Sequence, residues 1–383
     1  MSSYKIGMNL RVTENGNQGG RKYMEDTQAI RFVKNDEGGF EFAYFGIFDG
    51  HGGGEASKFA KQYLLDEITK YDCFWSEDDE DIMWAIRAGF LDTHFAMWKE
   101  VDTWPRTVSG LPSTSGTTAS IAIIKNSKLY IGHVGDSGIV LGFDDSRSDN
   151  ISFQFFKDHK PDSPEEKKRI EASGGEVVAK SGVQRVVWNR PKLNHKGPIR
   201  RSTPIDRIPF LAVARSLGDL WSYNYFKEEF VVSPDPDVTV HKVVHDPNVP
   251  VSYWINPAEK LVHHALRKWQ ARMLKADNTS CIVALIDAQG PRKLSILRKQ
   301  REENFRRKQN RQHSTSPKKS SNKSPASTPD KDNTDPSKPD TSPLTWNDIN
   351  ECDDPGQVPK KESPQAIGRT PPGSRSLLAP QPL

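Results

Sequence analysis

Five carboxylates in this chain stand where strand-like runs begin or end, and a histidine set among glycines lies beside one of them. Glu25 and Asp26 precede the run TQAIRF, Asp49 closes FGIF, Asp136 follows YIGHVG, and Asp277 stands just ahead of TSCIVALI. Taken singly, an aspartate at a strand end is most simply a turn residue. Taken together, such residues can converge at one edge of a sheet, where carboxylates repel unless a cation neutralises them. Oxygen donors without thiolate suit Mg²⁺ or Mn²⁺ rather than zinc. Gly50, Gly52, Gly53 and Gly54 surround His51 and leave the backbone bare. A metal could take a carbonyl oxygen there, and a phosphate could approach closely. His51 is then a candidate proton donor to a leaving group. Arg21, five residues before Asp26, offers a planar fork for a phosphate.

Other chemistries fit less well. The HGGG run at 51 to 54 is similar to the oxyanion-hole segment of lipases and esterases, but that chemistry needs a G-x-S-x-G elbow and the chain has none. His263 and His264 are adjacent on a helix, so they point different ways and do not form a metal pair. Cys73, Cys281 and Cys352 are odd in number without paired spacing, which argues against a disulfide framework and a cysteine zinc site. Asn278-Thr279-Ser280 is a glycosylation sequon by pattern only.

The elements that would position these residues alternate between strand and helix. Glu41 to Phe48 reads as a buried strand ending at Asp49-Gly50. Met83, Ile86, Phe90 and Met97 form the apolar stripe of an amphipathic helix between Asp81 and Glu100. Residues 117 to 140 read as a hairpin turning at Lys125-Asn126-Ser127, and Ile151 to Phe156 as another strand. Ser163-Pro164-Glu165-Glu166 has the form of a capping box with proline at the first helical position, and Gly174 and Gly175 stop that helix. Asn256-Pro257-Ala258-Glu259 repeats the start signal ahead of a stripe of Val262, Ala265, Leu266, Trp269 and Met273. Thr279 to Ile286 is the last strand. Without a regular strand-helix-strand rhythm, the pattern predicts an α+β fold of stacked antiparallel sheets with helices outside.

Composition sets the limits of that fold. Of 383 residues, 34% are hydrophobic and the mean hydropathy is −0.71. Fourteen of the 27 prolines fall between Pro291 and Pro382, so residues 290–383 read as a disordered, basic, Ser/Pro-rich tail. Residues 1–289 remain for one domain with a substantial core. No apolar run approaches the ~18 to 20 residues of a membrane span, and the first ten residues lack a signal-like apolar stretch, so a soluble intracellular protein is expected.

At the level of motifs, the chain resembles a known family. GGRKYMED at 19 to 26, FGIFDGHGGGEAS at 45 to 57, SGTTAS at 115 to 120, GHVGDSG at 132 to 138, DHKPDSPEEKKRIEASGG at 158 to 175, LAVARSLGD at 211 to 219 and ADNTS at 276 to 280 are similar to the metal-dependent Ser/Thr protein phosphatases of type 2C. The resemblance implies a central antiparallel β-sandwich flanked by helix pairs, in α-β-β-α layers, with two Mg²⁺ or Mn²⁺ ions at one edge. It implies that Asp49 bridges both metals, that the Gly50 carbonyl binds one and Asp277 the other, and that Glu25 and Asp26 ligate directly or through water. Asp136 matches a position that helps hold a weak third metal. Arg21 would grip the phosphate and His51 would protonate the leaving alkoxide.

One segment departs from the family. After VTVHKVV the resemblance implies an apolar strand, an Asp-Gly turn with a nearby Trp, and a further helix; this chain has HDPNVPVSYWI at 245 to 255. The missing aspartate would be a metal ligand, and Asp246, followed by Pro247, is a poor substitute. Two readings stay open: a phosphatase, and a catalytically impaired splice form or pseudophosphatase that binds phosphoproteins without turnover.

From Arg185 to Arg207 the chain carries seven Lys or Arg residues against one acid, Asp206. Such a run reads either as a solvated loop or as a docking surface in which Arg185, Arg190, Lys192, Lys196, Arg200 and Arg201 meet acidic or phosphorylated segments. It resembles an insertion found in one nuclear, DNA-damage-response branch of the family. That likeness implies phosphoserine-Gln or phosphothreonine-Gln segments, or a doubly phosphorylated Thr-x-Tyr segment, as partners. No aromatic stacking platform accompanies the charge, so nucleic acid is not the expected partner. Arg301 to Arg311 with Lys318-Lys319 resembles a nuclear import signal. A nuclear monomer that is also cytoplasmic in part is the expectation.

Overall fold

The computed structural model describes residues 9–36, 38–143, 151–193, 195, 197, 200, 202–242, 256–287 and 306. All of these except Arg306 belong to the first of two compact units, residues 1–303. The segment 245–255 and the tail beyond 289, Arg306 apart, lie outside the described residues.

The centre is a five-stranded antiparallel sheet. Its strands are β2 (Thr27–Lys34), β3 (Phe40–Phe48), β4 (Ala119–Lys125), β5 (Lys128–Val134) and β11 (Asp237–Lys242), in the order β11-β5-β4-β3-β2. Successive strand residues point to opposite faces, and here both faces are apolar. Phe42, Tyr44 and Phe48 of β3, with Ile121, Ile123 and Tyr130 from its neighbours, face one core. Ala43, Phe45, Ile124, Leu129 and Ile131 face another. That two-sided burial is why these strands read as nearly continuous hydrophobic runs.

Helices α1 (Glu55–Thr69) and α2 (Asp79–Glu100) cover the first face. Gly89 lets them close together, since a Cβ there would fall 2.3 Å from Ile68 Cγ1. On the second face lies the pair β1 (Asn9–Asn17) and β12 (Thr279–Asp287), antiparallel from Asn9↔Asp287 to Asn17↔Thr279. Leu10, Val12, Ile282, Ala284 and Ile286 pack from that pair into the second core. A hairpin of β6 (Val140–Phe143) and β7 (Ile151–Gln154) adds Ile139, Phe155 and Phe156 from its ends. Helix α4 (Pro257–Ala271) packs on β1 and β12. The layers are therefore α-β-β-α, with a helix pair on one side and, among the described residues, α4 alone on the other.

A smaller core surrounds α3 (Pro164–Ala172). It joins Ile170 to Val186, Leu211, Val213 and Val232 beside a three-stranded sheet of β8 (Val177–Lys180), β9 (Val183–Pro191) and β10 (Ile205–Leu211).

Three local expectations need correction. Ser163 is the N-cap residue of α3, but its hydroxyl donates to Glu165 Oε2 at 2.8 Å and makes no cap bond. The other half of the expected box, Glu166, is buried and taken by Arg169 and Arg215 at 2.9 and 2.5 Å. Charged partners outcompete a backbone N–H for that carboxylate. In α4 the Asn256 cap does form, accepting from the Glu259 N–H at 3.0 Å, but the apolar stripe fades: Val262 is buried whereas Met273, beyond the helix end, is exposed. The basic run is also not a loop throughout. Its start is strand β9, where Val186 and Val187 are buried.

Candidate active site

Tight backbone approaches bring the first motif to the last strand. Gly20 N–H donates to the Ala276 carbonyl at 2.8 Å, and Gly19, at φ +62, lies so close that a Cβ would meet the Asp277 carbonyl oxygen at 2.3 Å. Asn278 locks the approach. Its Oδ1 accepts from the Glu25 N–H at 2.9 Å, and its Nδ2 donates to the carbonyls of Gln18 and Tyr23 at 2.9 and 3.1 Å. One side chain thus sets the path of residues 18 to 25.

The end of β3 is fixed on the other side. Asp49 and Thr118 exchange two bonds: Asp49 N–H to the Thr118 hydroxyl at 3.1 Å, and Thr118 N–H to the Asp49 carbonyl at 2.9 Å. Gly50 abuts the Glu25 carbonyl, where a Cβ would intrude at 2.3 Å. Gly53 N–H donates to Glu25 Oε1 at 2.8 Å, and Ser280 donates to Asp26 Oδ2 at 2.9 Å.

The predicted carboxylates are gathered at this sheet edge. Asp26 and Asp49 are close enough for each to feel the other's carboxyl group. Burial lifts the Asp26 acid above its ordinary range against the Ser280 hydrogen bond, and the charges of Asp277 and Glu25 lift it further. Asp49 is an exposed residue of this edge, although protein crowds round its carboxylate. Loss of hydration, then the charges of Asp26, Asp136 and Asp277, push its acid up to about 7 against the pull of His51. Mutual repulsion of this kind disfavours the charged forms unless opposite charge is supplied nearby.

Two basic side chains answer part of that charge. Arg21 Nη2 lies 2.6 Å from Asp277 Oδ2, and Lys160 pairs with Asp136. Among the described residues, no three His, Cys, Asp or Glu side chains are drawn together tightly enough to hold a metal as they stand.

His51 arrives on a separate miniature ladder, Gly50–His51 against Gly116–Thr117 against Leu217–Gly218. Its Nε2 is 2.7 Å from Oδ2 of Asp219, a fully buried acid. Burial disfavours the charged ring, yet Asp219, by charge and hydrogen bond, and then Asp49 and Asp136 hold its pKa above the usual histidine range.

Behind the edge, a polar chain leads inward. Thr118 and Ser137 hydroxyls are 2.7 Å apart, and Ser120 contacts His133 Nδ1 at 2.8 Å. His133 stacks on His159, whose Nε2 meets Asp237 at 3.1 Å.

The basic residues are dispersed. Arg185 donates to the Phe210 carbonyl at 2.8 Å, and Arg190 lies over the Trp188 ring. Lys192 and Arg200 are exposed. Lys196 and Arg201 lie outside the described residues. His263 and His264 are both exposed on α4.

Sequence reasoning missed Asp219, Lys160, Asn278 and Ser280. Each stands inside a quoted motif, so the signal was present, but only tertiary contacts assign the partner.

The architecture is that of a known fold. The serine-threonine phosphatase 2C from Toxoplasma gondii matches it with a TM-score of 0.56, over 73% of this chain and 95% of that one, at 20% identity. The family model for protein phosphatase 2C matches residues 10–249, and the chain belongs to that family. Among relatives, protein phosphatase 2C homolog 2 of Aspergillus fumigatus is 32% identical over 242 residues, 60% of this chain and 47% of that protein. Probable protein phosphatase 2C 3 of Paramecium tetraurelia is 35% identical over 167 residues, 42% of this chain and 51% of that protein. The chain spans about half the length of the curated relatives it matches.

Proposed function

We propose that this chain is a protein Ser/Thr phosphatase that hydrolyses phosphoserine and phosphothreonine with water at a site for two Mg²⁺ or Mn²⁺ ions and a weaker third. The observation that carries the reading is the gathering of Asp26, Asp136 and Asp277 within electrostatic reach of Asp49, which lies beside His51.

The donors fit hard divalent cations in kind, being oxygens on mutually repelling carboxylates. Asp49, the Gly50 carbonyl and Asp277 would hold the pair, with Glu25 and Asp26 directly or through water and Asp136 toward the third. Bound there, the cations would supply an activated water near neutral pH and neutralise charge on the phosphoryl oxygens. Arg21 grips the phosphate, for which its fork must turn away from Asp277. His51 delivers a proton to the departing seryl or threonyl oxygen. Membership of the family supports both roles.

The finer reading is that the chain is closest to the delta, Wip-type members and acts in the nucleus on DNA-damage-response phosphoproteins carrying phosphoserine-Gln, phosphothreonine-Gln or phosphothreonine-x-phosphotyrosine segments. The exposed Lys192 and Arg200 support it.

A second reading has its own support. Arg21 and Lys160 already neutralise two of the carboxylates, as suits a chain that binds phosphoproteins without turnover.

Phosphate release from a phosphoserine-Gln peptide, with and without millimolar Mg²⁺, separates the two. Metal-dependent release is expected from the enzyme. A folded sample that releases none would leave the binding protein.

A further inference from the structure

The acid that holds His51 has no assigned part in the chemistry above. Asp219 is fully buried, and its carboxylate is surrounded by donors. The Ser216 hydroxyl reaches Oδ2 at 2.5 Å, the Trp221 indole N–H reaches Oδ1 at 2.7 Å, and His51 Nε2 lies 2.7 Å from Oδ2. The backbone is shaped to the same end. Asp219 sits in the left-handed region at φ 50, and its N–H donates to the Ser115 carbonyl at 3.0 Å.

Between the two side chains lies Gly116. His51 and Gly218 pair with it from opposite sides, and a Cβ there would fall 2.1 Å from Asp219 Oδ2 and 2.5 Å from His51 Nε2. The ladder therefore requires glycine at the point where acid and ring meet. The other ring nitrogen, Nδ1, makes no hydrogen bond among the described residues, and 25% of the side chain remains accessible. A buried acceptor on one ring nitrogen fixes which nitrogen carries hydrogen and which is presented outward.

We propose that Asp219 is a positioning residue for His51: it holds the hydrogen on Nε2 and so makes Nδ1 the nitrogen that delivers a proton to the leaving oxygen. This rests on the phosphatase reading. In the step, a water oxygen bonds to phosphorus and gives up a proton to solvent as the ester P–O bond breaks, its electron pair passing to the seryl or threonyl oxygen. That oxygen takes the proton from Nδ1 of the charged ring, forming the alcohol. The ring is left neutral with Nε2–H still on Asp219, and it regains its proton from water.

Two measurements test this. In the unmodified chain, nitrogen-15 spectra of the His51 ring, assigned by the signal lost in His51→Gln, should show hydrogen on Nε2 when the ring is neutral and a downfield Nε2–H when it is charged. Hydrogen on Nδ1 in the neutral ring, or rapid averaging of the two forms, would overturn the proposal. In Asp219→Asn, turnover of a phosphoseryl peptide should fall about 100-fold, the scale of a positioned proton donor. For p-nitrophenyl phosphate, whose leaving group needs no proton, the loss should be under about threefold, because proton donation then contributes little. Equal losses on the two substrates would mean that Asp219 only holds the fold. If the unmodified chain turns over neither substrate, the phosphatase reading fails, and the ring spectra still decide whether Asp219 sets the tautomer.

Discussion

Arg21 and Asp277 form a direct ion pair at 2.6 Å across 256 positions of sequence. The guanidinium assigned to phosphate thus rests on a carboxylate assigned to metal, and a cation binding at Asp277 must displace it. Arg21→Ala should tighten Mn²⁺ binding by up to about fivefold, the range of an exposed pair, while weakening inorganic phosphate. Calorimetric titrations of each check both signs, and unchanged Mn²⁺ affinity would show that the pair does not compete.

Crowded carboxylates make opposite predictions with and without metal. In metal-free protein, Asp49→Asn removes repulsion against Asp26, Asp136 and Asp277 and should stabilise the fold by about 1 kcal/mol, the scale of a favourable single-site change. With Mn²⁺ at about one hundred times its dissociation constant, the parent should gain about 2.7 kcal/mol, and the variant much less. Thermal melts with Mn²⁺ and with chelator give the four values.

Acid should weaken the protein in two stages. Burial pushes His94 down to about 3, and burial with the neighbouring His159 pushes His133 down to about 4. The unfolded chain therefore takes up these two protons first, and their contribution to stability falls as pH drops below about 6.5, the ordinary histidine value. Over the same window they are opposed by Asp49, Asp26 and His51, whose raised folded values favour proton uptake by the folded chain. The second stage comes from depressed acids. Although burial opposes it, Glu166 is held low by Arg215 and Arg169. Asp237 is held low by its hydrogen bond to His159 and by Arg215. Their stabilisation is present above the ordinary carboxylate range, about 4, and is lost as pH falls through their lower folded values. Urea midpoints from pH 7 to 3 should trace both limbs, and Glu166→Gln should flatten the second while costing about 3 kcal/mol for a broken buried pair.

Asn278→Ala removes three hydrogen bonds that hold residues 18 to 25. A loss of about 2 kcal/mol is expected for the groups left unpaired, together with weaker Mn²⁺ binding. Full retention of both would mean that the Gly19 and Gly20 contacts suffice to set this path.

The parts of the fold legible in sequence are those governed by short-range periodicity. The β4-β5 hairpin was marked by its polar turn, where Asn126 and Ser127 take φ of 53 and 60 as a two-residue hairpin turn demands. The strand-end carboxylates were legible because a sheet edge gathers the ends of its strands. Ser163 was misread because Glu166 answers to Arg215, 49 residues away, which no local pattern encodes. Asn278 was noticed only as a sequon, since its partners belong to the other end of the domain. Asp219 was hidden for a like reason: its meaning depends on Gly116 having no side chain.

The pairing of β1 with β12 has a consequence for synthesis. The first described strand finds its partner only at residues 279–287, and Asp277 and Asn278 arrive with that partner. Closing so long a loop is a late event in folding, and on the ribosome the N-terminal portions emerge and begin to fold first. Arg21, Glu25 and Asp26 must therefore wait for almost the whole domain before their surroundings exist. A nascent or truncated chain ending before β12 would carry most of its sandwich and helices yet have no finished site, so synthesis of β12 itself is the checkpoint before this edge can assemble.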